Sequence, residues 1–317
     1  MNKKSPRFPA LLALSLLACS GGDDDDGGPD AGNEPITLRG TCDEADHIGA
    51  FQVAVSPDFS SVDGQVFDAV LPVTIRDEVS VEGDCRLMRR LNLFCDPACS
   101  GAEVCDHDGT CKPQPAAQDV GVVTVTGLEE PISMEPRPPG NNYFATPATN
   151  PIFLPGAEIR LRTEGGAYVA TALGGFGFEP LSLTASDWSL AAAQPLAVTW
   201  AAPASADDKT RITLEVTINQ HGTSPVALEC DFPDNGSATI PASVIDALLA
   251  EGVSGFPSGI VKRVTRDRAT VSAGCIDLTV ASPIASSIDV DGHTPCDGDE
   301  DCTAPQTCDI PNETCVD

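Results

Sequence analysis

Thr210-Arg-Ile-Thr-Leu-Glu-Val-Thr-Ile-Asn219 is the stretch whose reading decides the fold. Ile212, Leu214, Val216 and Ile218 fall on one side, and Arg211, Thr213, Glu215 and Thr217 on the other. A period of two held over that length predicts an antiparallel strand with one face buried and one in water. Similar runs lie on both sides. Downstream come Val226–Phe232, Ile260–Val271, Ile276–Val280 and Ile288–Val290. Upstream come Val120–Thr126, Ile159–Thr163, Tyr168–Leu173 and Leu196–Trp200. Before these, Phe51, Val53 and Val55 alternate with smaller or polar residues. Val79 and Val81 do the same after a run from Val66 to Ile75. One helix is expected, with Pro241 in its first turn, Val244, Ile245, Leu248 and Leu249 as its apolar stripe, and Gly252 as its stop.

Many short strands separated by turns predict a mainly β protein, an antiparallel β-sandwich of the immunoglobulin or fibronectin kind with one short helix. The sandwich is expected over residues 116–291. Residues 36–94 are expected to join it, because so short a segment buries little by itself. The stretch Glu129–Pro155, rich in Pro and Asn and without periodicity, reads as a long loop.

Composition narrows the function. The 317 residues carry 47 acidic against 18 basic side chains, a formal charge of −29. That charge repels phosphate backbones and argues against a nucleic-acid partner. A hydrophobic content of 41% supports a core and excludes global disorder. The leader is equally informative. Lys3, Lys4 and Arg7 precede an apolar stretch from Phe8 to Ala18, too short to span a bilayer as a helix. It ends in Leu16-Leu17-Ala18-Cys19, which resembles the lipobox of bacterial lipoproteins. The resemblance implies cleavage after residue 18 and a lipid on Cys19, so the membrane is a partner through that lipid. Ser20 next to Cys19 implies the outer membrane. Residues 19–35 then read as a flexible, self-repelling acidic tether of Gly and Asp.

Setting Cys19 aside from the 13 Cys leaves an even number in an oxidising compartment. Cys95, Cys99, Cys105 and Cys111 form one group over 95–115. Cys296, Cys302, Cys308 and Cys315 form another over 292–317. The two look like one small module used twice, each needing two disulfides in place of a core, with three possible connectivities each. Zinc fits poorly, since neither group has a CxxC knuckle. The remaining four Cys suggest Cys42 with Cys85 and Cys230 with Cys275.

The lipobox, the tether, the β-rich body and the C-x5-C-x5-C-x6-C tail together resemble surface lipoproteins of myxobacterial-type bacteria. The stretches LNLFCDPACSGAEVCDHDGTCKP at 91–113 and ATIPASVIDALLAEGVSGFPSG at 238–259 carry the same resemblance. It implies location and architecture and transfers no catalytic residue.

Chemistry motifs are sparse. His47, His107, His221 and His293 lie outside any HExxH, and no GxSxG or phosphate-cradling Gly loop occurs. His221 could act as a base beside a carboxylate such as Asp231, or simply sit in a turn. Calcium is the most specific metal reading: Asp289 and Asp291, then Asp297, Asp299 and Asp301, alternate with turn residues, and Asp106 with Asp108 is a weaker pair. The competing reading is a solvated acidic linker, with no cofactor. Lys262, Arg263, Arg266 and Arg268 stand out in so acidic a chain. They suit an anionic polysaccharide, the protein's own carboxylates, or protection of an edge strand. The expectation is a non-catalytic envelope protein binding a protein or polysaccharide, with an envelope hydrolase or a calcium-dependent adhesion module as alternatives.

Overall fold

The computed structural model describes residues 35–204, 208–219, 221 and 225–317. The expected signal peptide 1–18, Cys19, and the tether up to residue 34 lie outside the described residues. The strands in chain order are β1 (His47–Val55), β2 (Ser60–Val66), β3 (Arg76–Glu82), β4 (Cys85–Arg90), β5 (Glu103–Cys105), β6 (Cys111–Pro113), β7 (Val123–Thr126), β8 (Ile132–Met134), β9 (Tyr143–Ala148) and β10 (Glu158–Thr163). They continue as β11 (Ala172–Phe176), β12 (Asp187–Leu190), β13 (Leu196–Thr199), β14 (Arg211–Thr217), β15 (Val226–Pro233), β16 (Ser237–Ile240), β17 (Ser258–Val271), β18 (Gly274–Val290), β19 (Thr307–Asp309) and β20 (Thr314–Val316). Among the described residues there is one α-helix, α1, over Ala242–Ala250. Pro241 caps it, and Gly252, at φ +93°, ends it in the left-handed region that glycine adopts at no steric cost.

The architecture is mainly β and sandwich-like. A ten-stranded sheet runs β3-β4-β15-β14-β17-β18-β1-β2-β9, with β12 also on β18. The strands of 36–94 lie in this sheet, β1–β2 beside β18 and β3–β4 beside β15. Two ladders, β1–β18 and β12–β18, are parallel rather than antiparallel. Both partners reach β18 through long crossovers, the connection that parallel pairing requires.

Two hydrophobic clusters cover the inner face. The four-stranded sheet β11-β10-β7-β8 closes over one half, around Phe51, Val53, Leu161 and Leu278. Phe51 lies over Gly64, where a Cβ would come within 2.1 Å of the ring, so the β1–β2 pair requires glycine there. The hairpin β13–β16 and α1 close over the other half, around Leu87, Ile212, Leu228 and Leu248. Ile212, Leu214, Val216 and Ile218 all point into this second cluster, which is the period-two face of the opening stretch.

The expected loop at 129–155 contains two strands, β8 and β9. Tyr143 is buried, and its hydroxyl accepts the Val120 N–H at 2.9 Å. That bond and the pairing of β9 with β2 order a segment with no periodic signal. The basic run of β17 is not at an edge either, since β14 and β18 flank it.

Arg263 points inward and is 1% exposed. It meets Asp234 at 2.6 and 3.1 Å, and the carbonyls of Glu179 and Ala201 at 2.8 and 2.6 Å. Trp200 Nε1 donates to the same carboxylate at 2.7 Å. A second pin sits at buried Asp267. Arg39 donates to it through Nε and Nη2, both at 2.8 Å, and Gly174 N–H donates at 2.7 Å. Burial acts to raise the Asp267 pKa, but the bonds from Arg39 and Gly174 outweigh it and hold it below the ordinary carboxylate value. A depressed folded pKa gives stability that is present above the unfolded value, about 3.9, and is lost as pH falls through the folded value. Asp267→Asn is therefore expected to lower the urea midpoint at neutral pH, with the gap to wild type closing as pH falls through the depressed folded value. A gap that stays constant down to acid pH would show that the carboxylate charge contributes nothing.

Six disulfides join the described cysteines, and two of them correct the sequence expectation. Cys42 bonds Cys275 and Cys85 bonds Cys230, in place of Cys42 with Cys85 and Cys230 with Cys275. Cys85 and Cys230 lie directly opposite each other on β4 and β15, and Cys275 opens β18 where the 36–43 segment passes. The two small modules share one connectivity, first with third and second with fourth: Cys95–Cys105 and Cys99–Cys111, then Cys296–Cys308 and Cys302–Cys315. In each, the third and fourth Cys face each other across a hairpin, β5–β6 or β19–β20. Histidines dock both modules. His107 Nε2–H donates to the Pro72 carbonyl at 2.9 Å, and His293 Nε2–H to the Gly255 carbonyl at 2.8 Å.

Candidate functional site

The outer face of the ten-stranded sheet carries two clefts. Alternation puts Arg211, Thr213 and Glu215 of β14 on this face. Their neighbours across the ladders are Asp231 and Glu229 on β15, and Lys262 and Ile260 on β17. Arg86 on β4 faces Glu229. These side chains line a cleft of about 550 Å³.

The charges interlock. Arg211 Nε donates to Asp231 at 2.7 Å, and Arg266 Nη2 binds the other oxygen of the same carboxylate. Arg86 meets Glu229 at 3.2 Å, and Arg76 also donates to Glu229 and holds Glu44 at 2.6 Å. Burial works against the Arg76 charge, but Glu229 and Glu44 overcome it and raise its pKa. Lys262 lies between these pairs and has no ion-pair or hydrogen-bond partner among the described residues. Further along β17, Arg268 donates to the Thr41 carbonyl at 2.8 Å. Its ladder neighbour Asp277 accepts the Cys42 N–H at 2.8 Å. Burial raises the Asp277 pKa, opposed by Cys42, His47, Arg266 and Arg268. So Arg266 pairs with the protein's own carboxylate, one of the readings the sequence allowed.

The second cleft, about 530 Å³, lies over β1, β2 and β9. Ala50, Phe67, Leu71 and Phe144 give it mostly apolar walls, with His47, Asp63 and Gln65 at its rim. Burial raises the Asp63 pKa. Arg137 stacks over Phe144, 3.4 Å from the ring centre.

The aspartates singled out for calcium do not converge. Among the described residues, the groups of three or more ligand atoms within reach of one ion are Cys sets, one of them with Asp277, and every Cys in them is disulfide-bonded. Asp289 and Asp291 are exposed at and just beyond the end of β18. Asp301 instead accepts the N–H groups of Asp297 and Gly298 at 2.9 and 3.3 Å, and Asp299 accepts the Cys308 N–H at 2.8 Å. These carboxylates cap the module's own turns. At Asp106 and Asp108, Lys112 is the cation, at 3.7 and 3.1 Å.

His221 does not meet Asp231. Its Nε2 lies 2.9 Å from Glu313 of the C-terminal module. Ser254 Oγ accepts the backbone N–H of His221 at 3.2 Å and donates to Asn219 at 3.0 Å, so the hydroxyl is not joined to the ring.

Sequence reasoning missed Arg76, Arg86, Glu229 and Asp231 as one group. The strand period signalled which face Arg211, Glu215 and Lys262 take. The register that brings in β4 and β15 carries no local signal.

No protein-family model matches this chain, and no curated protein matches it. Among solved structures, it is similar to a "Ca2+-stabilized adhesin" that "helps an Antarctic bacterium reach out and bind ice", at 12% identity and a TM-score of 0.18. The match covers 79% of this chain and 51% of the adhesin chain, so the chain spans about half the length of that protein.

Proposed function

We propose that this is a lipid-anchored protein of the bacterial cell envelope with a non-catalytic binding role, the outer sheet face holding its ligand. The observation that carries the reading is the cysteine accounting. Every described Cys is in a disulfide, which leaves Cys19 as the odd thiol, in the sequence context that resembles a lipobox. Six disulfides suit an oxidising compartment outside the cytoplasm. Fully bridged cysteines also supply neither a thiolate nucleophile nor zinc thiolates. Two docked modules and an open polar face suit a rigid platform held at the membrane by its amino terminus.

The test is the intact mass of protein extracted from membranes, with and without thiol alkylation under denaturing, non-reducing conditions. The expected result is a chain starting at Cys19, carrying a diacylglycerol and an amide-linked fatty acid, and taking up no alkylating agent. A free thiol, or a mass without lipid, would sink the reading.

A further inference from the structure

We propose that the charged cleft takes an acidic sugar residue, one carboxylate on a hydroxyl-bearing ring, as part of an extracellular polysaccharide. This rests on the reading of the outer face as the ligand site. Three observations lead to it. Arg211 and Arg266 share the single carboxylate of Asp231, so one carboxylate serves two guanidiniums there. Beside them Lys262 offers an ammonium with three donors and no partner among the described residues, in a chain whose net charge is −29. An ammonium without a partner, beside two guanidiniums that share one carboxylate, can take an anionic group from solution.

The third observation sets the class of ligand. Glu215 and Asp84 also line the cleft, and their side chains form no hydrogen bond or ion pair among the described residues. Glu215 lies diagonally across the ladder from Lys262, since Thr213 faces Lys262 and Glu215 faces Ile260. Phosphate, with up to two charges concentrated on one group, would be repelled more strongly by these carboxylates than a single carboxylate carried on each ring of a chain. A single carboxylate on a sugar ring carries half that charge and can turn its hydroxyls, rather than its charge, toward them. Its charge meets Lys262 and the guanidinium pair, and its hydroxyls donate to Glu215 and Asp84. A space of about 550 Å³ is the size of ordinary small-ligand sites. Recognition here runs through charge and hydrogen bonds beside the aliphatic side chain of Ile260, with no aromatic side chain lining the cleft.

The experiment is titration calorimetry of the full mature protein with trigalacturonate. Its neutral methyl ester and triglutamate serve as controls, in low salt and at 500 mM NaCl. Trigalacturonate is expected to bind, weakened by salt, with the ester and triglutamate at least 10-fold weaker. Lys262→Gln is expected to lower the affinity by about 10-fold or more, as loss of a charge-assisted bond does, with an unchanged unfolding midpoint. Thr213→Val, beside Lys262, serves as a second variant lining the same cleft, expected to weaken binding less. Equal binding by Lys262→Gln would place the ligand elsewhere on the chain. Equal binding of triglutamate would overturn the sugar class. No binding of trigalacturonate would overturn the inference, while a lipid-bearing, fully bridged mass would leave the anchored, non-catalytic reading intact.

Discussion

Asp234→Ala is expected to cost about 3–5 kcal/mol of folding stability, the loss typical when one partner of a buried ion pair is removed. Arg263 and Asp234 side chains are each 1% exposed. Without the carboxylate, the guanidinium keeps only the Glu179 and Ala201 carbonyls, and Trp200 Nε1 loses its acceptor. A guanidinium does not shed its charge at any working pH. The reverse change, Arg263→Met, strands the Asp234 carboxylate without its guanidinium partner and is expected to be destabilising for the same reason. The double variant Arg263→Met with Asp234→Leu is expected to lose less than Asp234→Ala alone, because no uncompensated charge remains. Urea unfolding followed by tryptophan fluorescence reads all three. Strictly additive losses would show that the pair is not the interaction being broken.

The second large effect is at Cys42–Cys275. The chain-entropy model scales a disulfide's contribution with the loop it closes, here a sequence separation of 233. That gives about 5 kcal/mol. With Cys85–Cys230 intact, the loop left to close is shorter and the value falls only slightly, because the dependence on length is logarithmic. The module disulfides close separations of 10 to 13, for which the same model gives just under 3 kcal/mol. Replacing both Cys42 and Cys275 by Ser avoids a free thiol and is expected to lower the denaturant midpoint well beyond the Cys95–Cys105 double replacement. The 36–43 segment would then be held to the sheet by Arg39–Asp267, Cys42 N–H to Asp277 and Arg268 to Thr41. If the module variant proves as destabilising as the long-range one, the loop-entropy ranking is wrong for this protein.

The two effects differ in how far the sequence announces them. Arg263 is one of four basic residues within seven positions, and alternation alone separates it from Lys262 and Arg266. What makes it an interior residue is Asp234, which arrives from beyond the end of β15, and Trp200 from the neighbouring hairpin. Likewise, the number of cysteines announces full pairing, and the two modules announce themselves by spacing. The choice of Cys275 for Cys42 depends on β18 returning beside β1, a pairing between segments more than 200 residues apart.

By itself the sequence determined what depends on local periodicity and composition. The β class, the inward face of Thr210–Asn219, the helix between Pro241 and Gly252, and the two four-cysteine modules are all of this kind. Side-chain alternation and turn chemistry act over a few residues, so they are written where they act. The tertiary structure alone decided the parallel ladders on β18, the two long-range disulfides, the strand made from Tyr143–Ala148, and the meeting of Arg86, Arg211, Lys262 and Arg266 in one cleft. Each of these depends on register between distant strands. Register is set by burying both clusters of the inner face at once, a condition on the whole chain that no short stretch of it records.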